Sequence, residues 1–380
     1  MKRRRIGAAA LLLAVLLTAC APASEPTEDG TASVEWSDLT LESSLELQYA
    51  DQFAVDYYTG GYALIHIGDG SEYIVVPEGT PVPDGLADTT VVLQQPLDRI
   101  YLVATSAMDL FSALDGVGNI RLSGTDEDGW YIEDAKEAMQ SGAMLYAGKY
   151  NSPDYELIYA EQCDLAVEST MIYHSPDVKE QLERLGVPVL VERSSYESSP
   201  LGRMEWLKLY GVLLGREDDA AAIYQQAIDG LQPVMDQENT GKTVAFFYIN
   251  SNGSANVRKS GDYVAKMIEM AGGQYIFTDL GDDNALSTMN MQMETFYTGA
   301  KDADVIIYNS TIDGELHTID ELLTKSPLLA DFKAVQTGDV WCTEQNLFQS
   351  TMGLGDMILD IHAILTEENP ETLTYLHRLT

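Results

Sequence analysis

The chemistry-bearing residues of this 380-residue chain begin with a thiol, Cys20, set directly after Leu17-Thr18-Ala19. Upstream stand Lys2, Arg3, Arg4 and Arg5 and an apolar run over residues 6–17. A positive segment, a short apolar segment and a small-residue processing site are the parts of an export leader. The apolar run is shorter than the ~20 residues needed to span a bilayer. A cysteine at the cleavage point is the arrangement of a bacterial lipobox, so Cys20 is expected to become the lipid-modified first residue of an exported protein. The other reactive residues do not assemble into a catalytic or metal motif. HExxH, CxxC and GxSxG do not occur, and His66, His174, His317, His362 and His377 show no metal-ligand spacing. The loop Asp126-Glu127-Asp128-Gly129 lacks the alternating ligands and terminal Glu of a calcium loop and reads as an acidic loop. Cys163 and Cys342 are far apart in the chain. A disulfide is open to an exported protein, but two buried unpaired thiols fit better.

The net charge is −38, with 22 Lys+Arg against 60 Asp+Glu. Removing the leader takes four cations with it and leaves 18 against 60, a net charge of −42. Such a surface repels nucleic acid and anionic lipid, which argues against either as a partner. The hydrophobic content of 45% over this length is enough for a substantial core, usually divided between two domains. Residues 21–33 (APASEPTEDGTAS) carry too little apolar material to fold and read as a leash.

The elements that must position any site follow in order. Short β-branched and aromatic runs at 53–58, 62–67 and 72–76, punctuated by Gly60-Gly61 and Gly68-Asp69-Gly70, predict hairpins that end at 77–83. Strand and helix patterns then alternate: strands at 100–104, 120–122, 165–167 and 187–191, and helices at 106–114, with Ser106 as cap, and 176–185. A helix over 201–214 stops at Gly215. Another from Glu217 to about Met235 carries a continuous 3.6-period apolar stripe and spans ~30 Å. Alternation resumes with strands at 244–249, 305–308 and 340–341 and helices at 262–271, 292–298, 319–323 and 357–366. The expected fold is α/β: two Rossmann-like lobes joined by a single long bridging helix, with an N-terminal β-hairpin extension. The boundaries are 1–19 leader, 20–40 flexible tether, 41–96 β-rich extension, 97–199 first lobe, 200–240 linking helices and 241–380 second lobe.

This order resembles the substrate-binding proteins of ABC importers for iron-siderophore complexes, haem and cobalamin, in their lipoprotein form. Pro153-Asp154-Tyr155-Glu156 with Cys163-Asp164-Leu165-Ala166-Val167 is similar to the family's P-N-L-E … P-D-L-V-I segment, with Cys163 in place of proline. Leu182-Glu183-Arg184-Leu185-Gly186-Val187-Pro188-Val189 looks like its L-E-K-L-G-I-P-V turn. Leu213-Leu214-Gly215-Arg216-Glu217, Ala271-Gly272-Gly273 and Asp302-Ala303-Asp304-Val305-Ile306-Ile307 stand at the family's remaining positions. The resemblance covers residues 97–365. It implies that one glutamate per lobe, Glu156 in PDYE and Glu294 in MQMETF, docks on permease arginines through directional Arg–carboxylate pairs.

The resemblance also places the ligand between the lobes, at loops beyond the carboxyl ends of the parallel strands. Candidate contacts there are Trp130, Lys149, Tyr150, Arg193, Tyr196, Arg203, Asn252 and Arg258. The three arginines are informative in a chain poor in cations and point to an anionic complex. The aromatics would cover a flat or apolar one. The segment 250–254 could present backbone N–H groups to an anion, or be an ordinary polar turn. The leading expectation is a monomeric, lipid-anchored, extracytoplasmic receptor on the cell membrane. It would capture a ferric-siderophore-type chelate, with no cofactor of its own, and deliver it to an ABC permease with a cytoplasmic ATPase. Haem or cobalamin is the alternative, haem requiring His174 or a tyrosine in the cleft. A surface-anchored hydrolase using two carboxylates is the reading from another class.

Overall fold

The computed structural model describes residues 33–281, 288–367 and 373–380. The leader, Cys20 and the leash up to residue 32 lie outside the described residues. Three sheets are arranged along the chain, with two consecutive helices between the second and the third.

The first sheet has five strands in sequence order: Leu41–Ser44, Phe53–Tyr58, Tyr62–Ile67, Glu72–Val76 and Thr90–Gln94. The first four pair antiparallel, as the glycine-punctuated hairpins predict. The last pair is parallel, however, because residues 77–89 cross back before Thr90 pairs with Glu72. Sequence reading closed this unit at the prolines and missed that strand.

The second sheet is entirely parallel, in the order Val189–Glu192, Leu165–Ser169, Ile100–Leu102, Ile120–Ser123, Leu145–Tyr146. The strands Ile100–Leu102, Leu165–Ser169 and Val189–Glu192 are buried and mostly apolar, as helix-covered parallel strands must be, with Glu168 and Glu192 as buried exceptions. The helix after Ile100–Leu102 runs Ala107–Ala113. Ser106 has helical backbone and its hydroxyl caps nothing, so that expectation is corrected.

The third sheet has seven strands. Thr243–Ile249, Val305–Tyr308 and Val340–Thr343 form its parallel centre, with Gln274–Tyr275 beside the first. Ala255–Arg258 and Thr288–Met291 extend one side antiparallel, and Leu376–Arg378 closes the other. Those flanking strands left no clear β pattern in the sequence.

Between the lobes' sheets stand the helices Pro200–Leu214 and Glu217–Met235. Proline opens the first, where its missing N–H costs nothing, and Gly215 ends it at φ 65°. Three acidic residues occupy the positive end of the second, and Ala220, Tyr224, Ile228 and Leu231 form its buried stripe. The first helix is buried almost all round. Trp206 meets Phe53 of the extension and Tyr210 meets Phe111 of the first lobe, at ring-centroid distances of 5.0 and 4.9 Å. One hydrophobic cluster runs through extension, both lobes and linking helices. Cys163 and Cys342 are both buried and unpaired.

The extension is held by buried charge as well as apolar contact. Glu205, on the first linking helix, is fully buried and accepts backbone N–H bonds from Gln48, Tyr49 and Ala50 at 2.8–3.1 Å, with Lys208 Nζ at 2.8 Å. Glu197 takes the next two N–H groups, Asp51 and Gln52, and the Trp206 indole N–H at 2.9 Å. Five consecutive amides thus face two carboxylates. Replacing Glu205 by alanine removes the acceptor of three part-buried N–H groups and the partner of Lys208, a loss of ~3 kcal/mol. A urea unfolding midpoint unchanged in Glu205→Ala would refute this role.

Candidate functional site

The parallel strands of the first lobe point their carboxyl ends at the second lobe. A cavity of about 370 Å³ lies there. Val103 and Thr105 follow the strand Ile100–Leu102, and Gly124, Thr125 and Asp126 follow Ile120–Ser123. Ser169 ends Leu165–Ser169, while Lys149 and Tyr150 come from a two-stranded hairpin. Phe348 and Gln349 close it from the second lobe. The volume is toward the small end of the ~300–1,000 Å³ range of small-molecule sites.

Side chains bond directly across the cleft. The Gln349 amide accepts from Tyr131 N at 2.8 Å and donates to Gly129 O at 2.7 Å. Tyr131 Oη donates to Gln345 Oε1 at 2.5 Å, and its ring meets Phe348 edge-on. Deeper in the seam, Thr351 Oγ1 donates to Ser106 O at 2.8 Å and Met352 N donates to Asp109 Oδ2 at 2.7 Å. Burial pushes the Asp109 carboxyl up, against the backbone N–H bonds that pull it down. The lobes are closed on each other.

The cavity wall is mostly neutral. Asp126 Oδ1 is engaged by Gly129 N, and Ser169 Oγ accepts from Met171 N. Lys149 Nζ and Tyr150 Oη make no hydrogen bond among the described residues. One cation and one phenol are therefore free to meet a guest. Their presentation depends on Gly148, at φ 85°, where a Cβ would stand 2.3 Å from Ser152 O. Only glycine permits that approach.

The expected contacts separate. Lys149 and Tyr150 line the cavity. Trp130 does not: it is 1% exposed, its indole N–H donates to Ser123 Oγ, and it serves as core beneath the wall. Arg193 turns to the extension, donating to Gln52 Oε1 at 3.2 Å and to Tyr173 Oη at 3.1 Å. Its guanidinium lies 4.3 Å from the Tyr196 ring centroid, so both residues are committed to that junction. Arg203 and Arg258 meet at Tyr263, 4.1 and 5.7 Å from its centroid, and Arg258 pairs with Asp262 at 3.7 Å. Neither lines the cavity. Asn252 sits in the exposed turn between Thr243–Ile249 and Ala255–Arg258. Asn250 Oδ1 already takes the N–H groups of Asn252 and Ser254, which leaves those amides unavailable to an anion. Glu156 and Glu294 are both exposed, each in the first turn of its helix, Tyr155–Ala160 and Met293–Ala300. His174 is exposed and does not line the cavity.

Thr105, Thr125 and Ser169 were not singled out from sequence, and Asp126 only as part of an acidic loop, although each stands at or just past a strand's carboxyl end. That position was the available signal. Among the described residues, no group of three or more His, Cys, Asp or Glu side chains is placed to hold a metal ion.

Residues 91–347 match the family described as periplasmic binding protein. The chain is 24% identical to the uncharacterized lipoprotein MJ0878 of Methanocaldococcus jannaschii, over 96% of this chain and 92% of that one. Among solved structures it is similar to a periplasmic heme binding protein from Pseudomonas aeruginosa, with TM-score 0.56 and 18% identity over 74% of this chain and 98% of that chain. It is also similar to an ABC-type Fe3+-hydroxamate transport system protein from Saccharomonospora viridis, with TM-score 0.54 and 18% identity over 71% and 93%.

Gly148→Ala should displace the hairpin that carries Lys149 and Tyr150, at a cost of ~2 kcal/mol from backbone strain and overlap. Thermal unfolding of the variant checks this; an unchanged midpoint would show that the hairpin tolerates a Cβ.

Proposed function

The chain belongs to the periplasmic binding protein family, and from that premise we propose that it captures a compact metal chelate, of the ferric-siderophore type, and hands it to an ABC permease. Members of this family bind solutes for import; the protein is a binding protein and not an enzyme. The observation that carries the ligand reading is the interlobe cavity at the strand carboxyl ends, where Lys149 and Tyr150 stand unpaired. A chelate that supplies its own complete ligand sphere needs from the protein only charge, hydroxyls and aromatic walls. Lys149, Thr105, Thr125, Ser169, Tyr150 and Phe348 offer these. Structural neighbours named for heme binding and for Fe3+-hydroxamate transport support the chelate class.

Haem is the second reading, and Tyr150 favours it: a free phenol in the cleft is the axial ligand that reading requires. The volume of about 370 Å³ favours the smaller guest.

Anchoring follows the lipobox at Cys20 and the lipoprotein names of the archaeal relatives MJ0878 and MJ0872. Glu156 and Glu294, exposed on helices of opposite lobes, are the proposed docking points on the permease, with the single chain as the docking unit.

Titrating the protein with ferric tris-hydroxamate, ferric catecholate, haemin and cobalamin, and following tryptophan quenching, tests the proposal. Trp130 beneath the cavity is the expected reporter. Lys149→Ala should weaken binding of an anionic chelate ~10-fold, the worth of one charge-assisted hydrogen bond. Tyr150→Phe should leave a siderophore complex bound but abolish a phenolate-to-iron absorption band if haem is the guest. No response to any of the four would overturn the chelate reading. Glu156→Arg and Glu294→Arg should leave binding intact while removing stimulation of the permease ATPase in vesicles. Undiminished stimulation by both variants would place the docking surface elsewhere.

A further inference from the structure

Behind the cavity hairpin lies a carboxyl that the binding chemistry does not use. Glu168 is fully buried on the strand Leu165–Ser169, and neither of its oxygens has a hydrogen-bond partner among the described residues. Buried polar atoms are almost always bonded, so an isolated carboxyl calls for a reason. Strand alternation puts Glu168 on the same face as Ala166, which packs with Tyr101, Ala147 and Ile158; the next residue, Ser169, lines the cavity.

Its surroundings identify what it acts on. Tyr101 stands in register with Ala166 on the neighbouring strand, diagonal to Glu168 on the same face of the sheet, and Tyr155 of the helix Tyr155–Ala160 packs against the same cluster. Tyr146 and Cys163 act on Tyr101, and Asp177, from the helix Pro176–Arg184, acts on Tyr155. No cation pairs with Glu168 among the described residues. Burial pushes Tyr101, Tyr155 and Cys163 up, so all three stay neutral at physiological pH. Burial alone raises Glu168, to about 8.

Tyr101 Oη donates a 2.7 Å hydrogen bond to Gly148 O, which pins the hairpin. That hairpin pairs Gly148 with Pro153 and Lys149 with Ser152. Asp154, whose N–H bonds Ala147 O at 2.7 Å, then caps the helix that carries Glu156. Segment 147–157 is thus one hydrogen-bonded unit, with Lys149 and Tyr150 at the cavity and Glu156 outside.

We propose that Glu168 is a proton-linked positioning residue for this unit: neutral, it leaves the Tyr101 hydroxyl on Gly148; ionised, it draws that hydroxyl to itself and frees the hairpin. The proton leaves to solvent and no other bond changes. A carboxylate buried without a partner must acquire one, and Tyr101 is a donor close to it. Raising the pH would then loosen Lys149 and Tyr150 together with the base of the Glu156 helix. This links the cavity to the docking face.

The sign for stability follows from the same proton. The unfolded carboxyl ionises near 4.5 and the folded one near 8. The folded chain therefore retains a proton that the unfolded chain releases across that window. Stability falls as pH rises through it and levels off above.

The importance of the hairpin rests on the binding reading, but the test needs no ligand, so the two can fail separately. Amide hydrogen exchange of the full-length protein in detergent, compared at pH 7 and 9 after correction for intrinsic rates, should show segment 147–157 losing protection about tenfold at pH 9. Glu168→Gln should keep protection at both pH values and raise the unfolding temperature at pH 8. Tyr101→Phe should lose protection at both. Wild-type protection that does not change, a Glu168→Gln profile that tracks the wild type, or a loss spread over all three sheets would each overturn the proposal. If Glu168→Gln does not fold, the wild-type and Tyr101→Phe profiles decide it.

Discussion

Two carboxylates in the interior, Glu205 and Glu197, carry the arrangement of the parts. Burying charge is costly unless hydrogen bonds replace water. Here the replacement comes from five successive backbone amides, 48–52, with Lys208 and the Trp206 indole. That bond set ties the β-rich extension to the helix Pro200–Leu214. Because that helix is also the wall between the lobes, anchoring the extension fixes the geometry around it. Arg193 is then spent on Gln52 and Tyr173, and Tyr73 reaches across to Val189 O at 2.7 Å.

The same helix limits how the cleft can open. Its buried face belongs to a hydrophobic cluster that continues into both lobes, so a wide hinge motion would expose apolar surface. Closure is fastened at the rim by amides, hydroxyls and one carboxylate. Gln349, bonding to both Tyr131 and Gly129, joins the lobes at the mouth of the cavity. Neutral bonds of this kind exchange readily with water or with a guest, which suits a receptor that must open repeatedly.

Most of the extension lies ahead of the family match. Residues 33–90 precede the family match, yet the archaeal lipoprotein MJ0878 aligns over 96% of the chain. Residues 33–96 contain eleven acidic side chains and no lysine or arginine. Such a module repels an anionic surface.

What the sequence determined by itself is what local pattern controls. The two linking helices were legible to within a residue from a proline start, a glycine stop, an acidic first turn and a 3.6-period stripe. The buried parallel strands were legible from short apolar runs between helices. So was the likelihood of a site at their carboxyl ends, because topology alone puts one there. The strands Thr90–Gln94, Ala255–Arg258 and Leu376–Arg378 escaped because edge and crossover pairing is decided by distant neighbours. The fate of individual side chains was decided only by tertiary structure. Arginines that looked free were claimed by the extension or stacked on Tyr263, Trp130 went into the core, and Glu168, one acid among sixty, was sealed away without a partner. A charge's role depends on what folds against it, and that contact comes from residues far off in the chain.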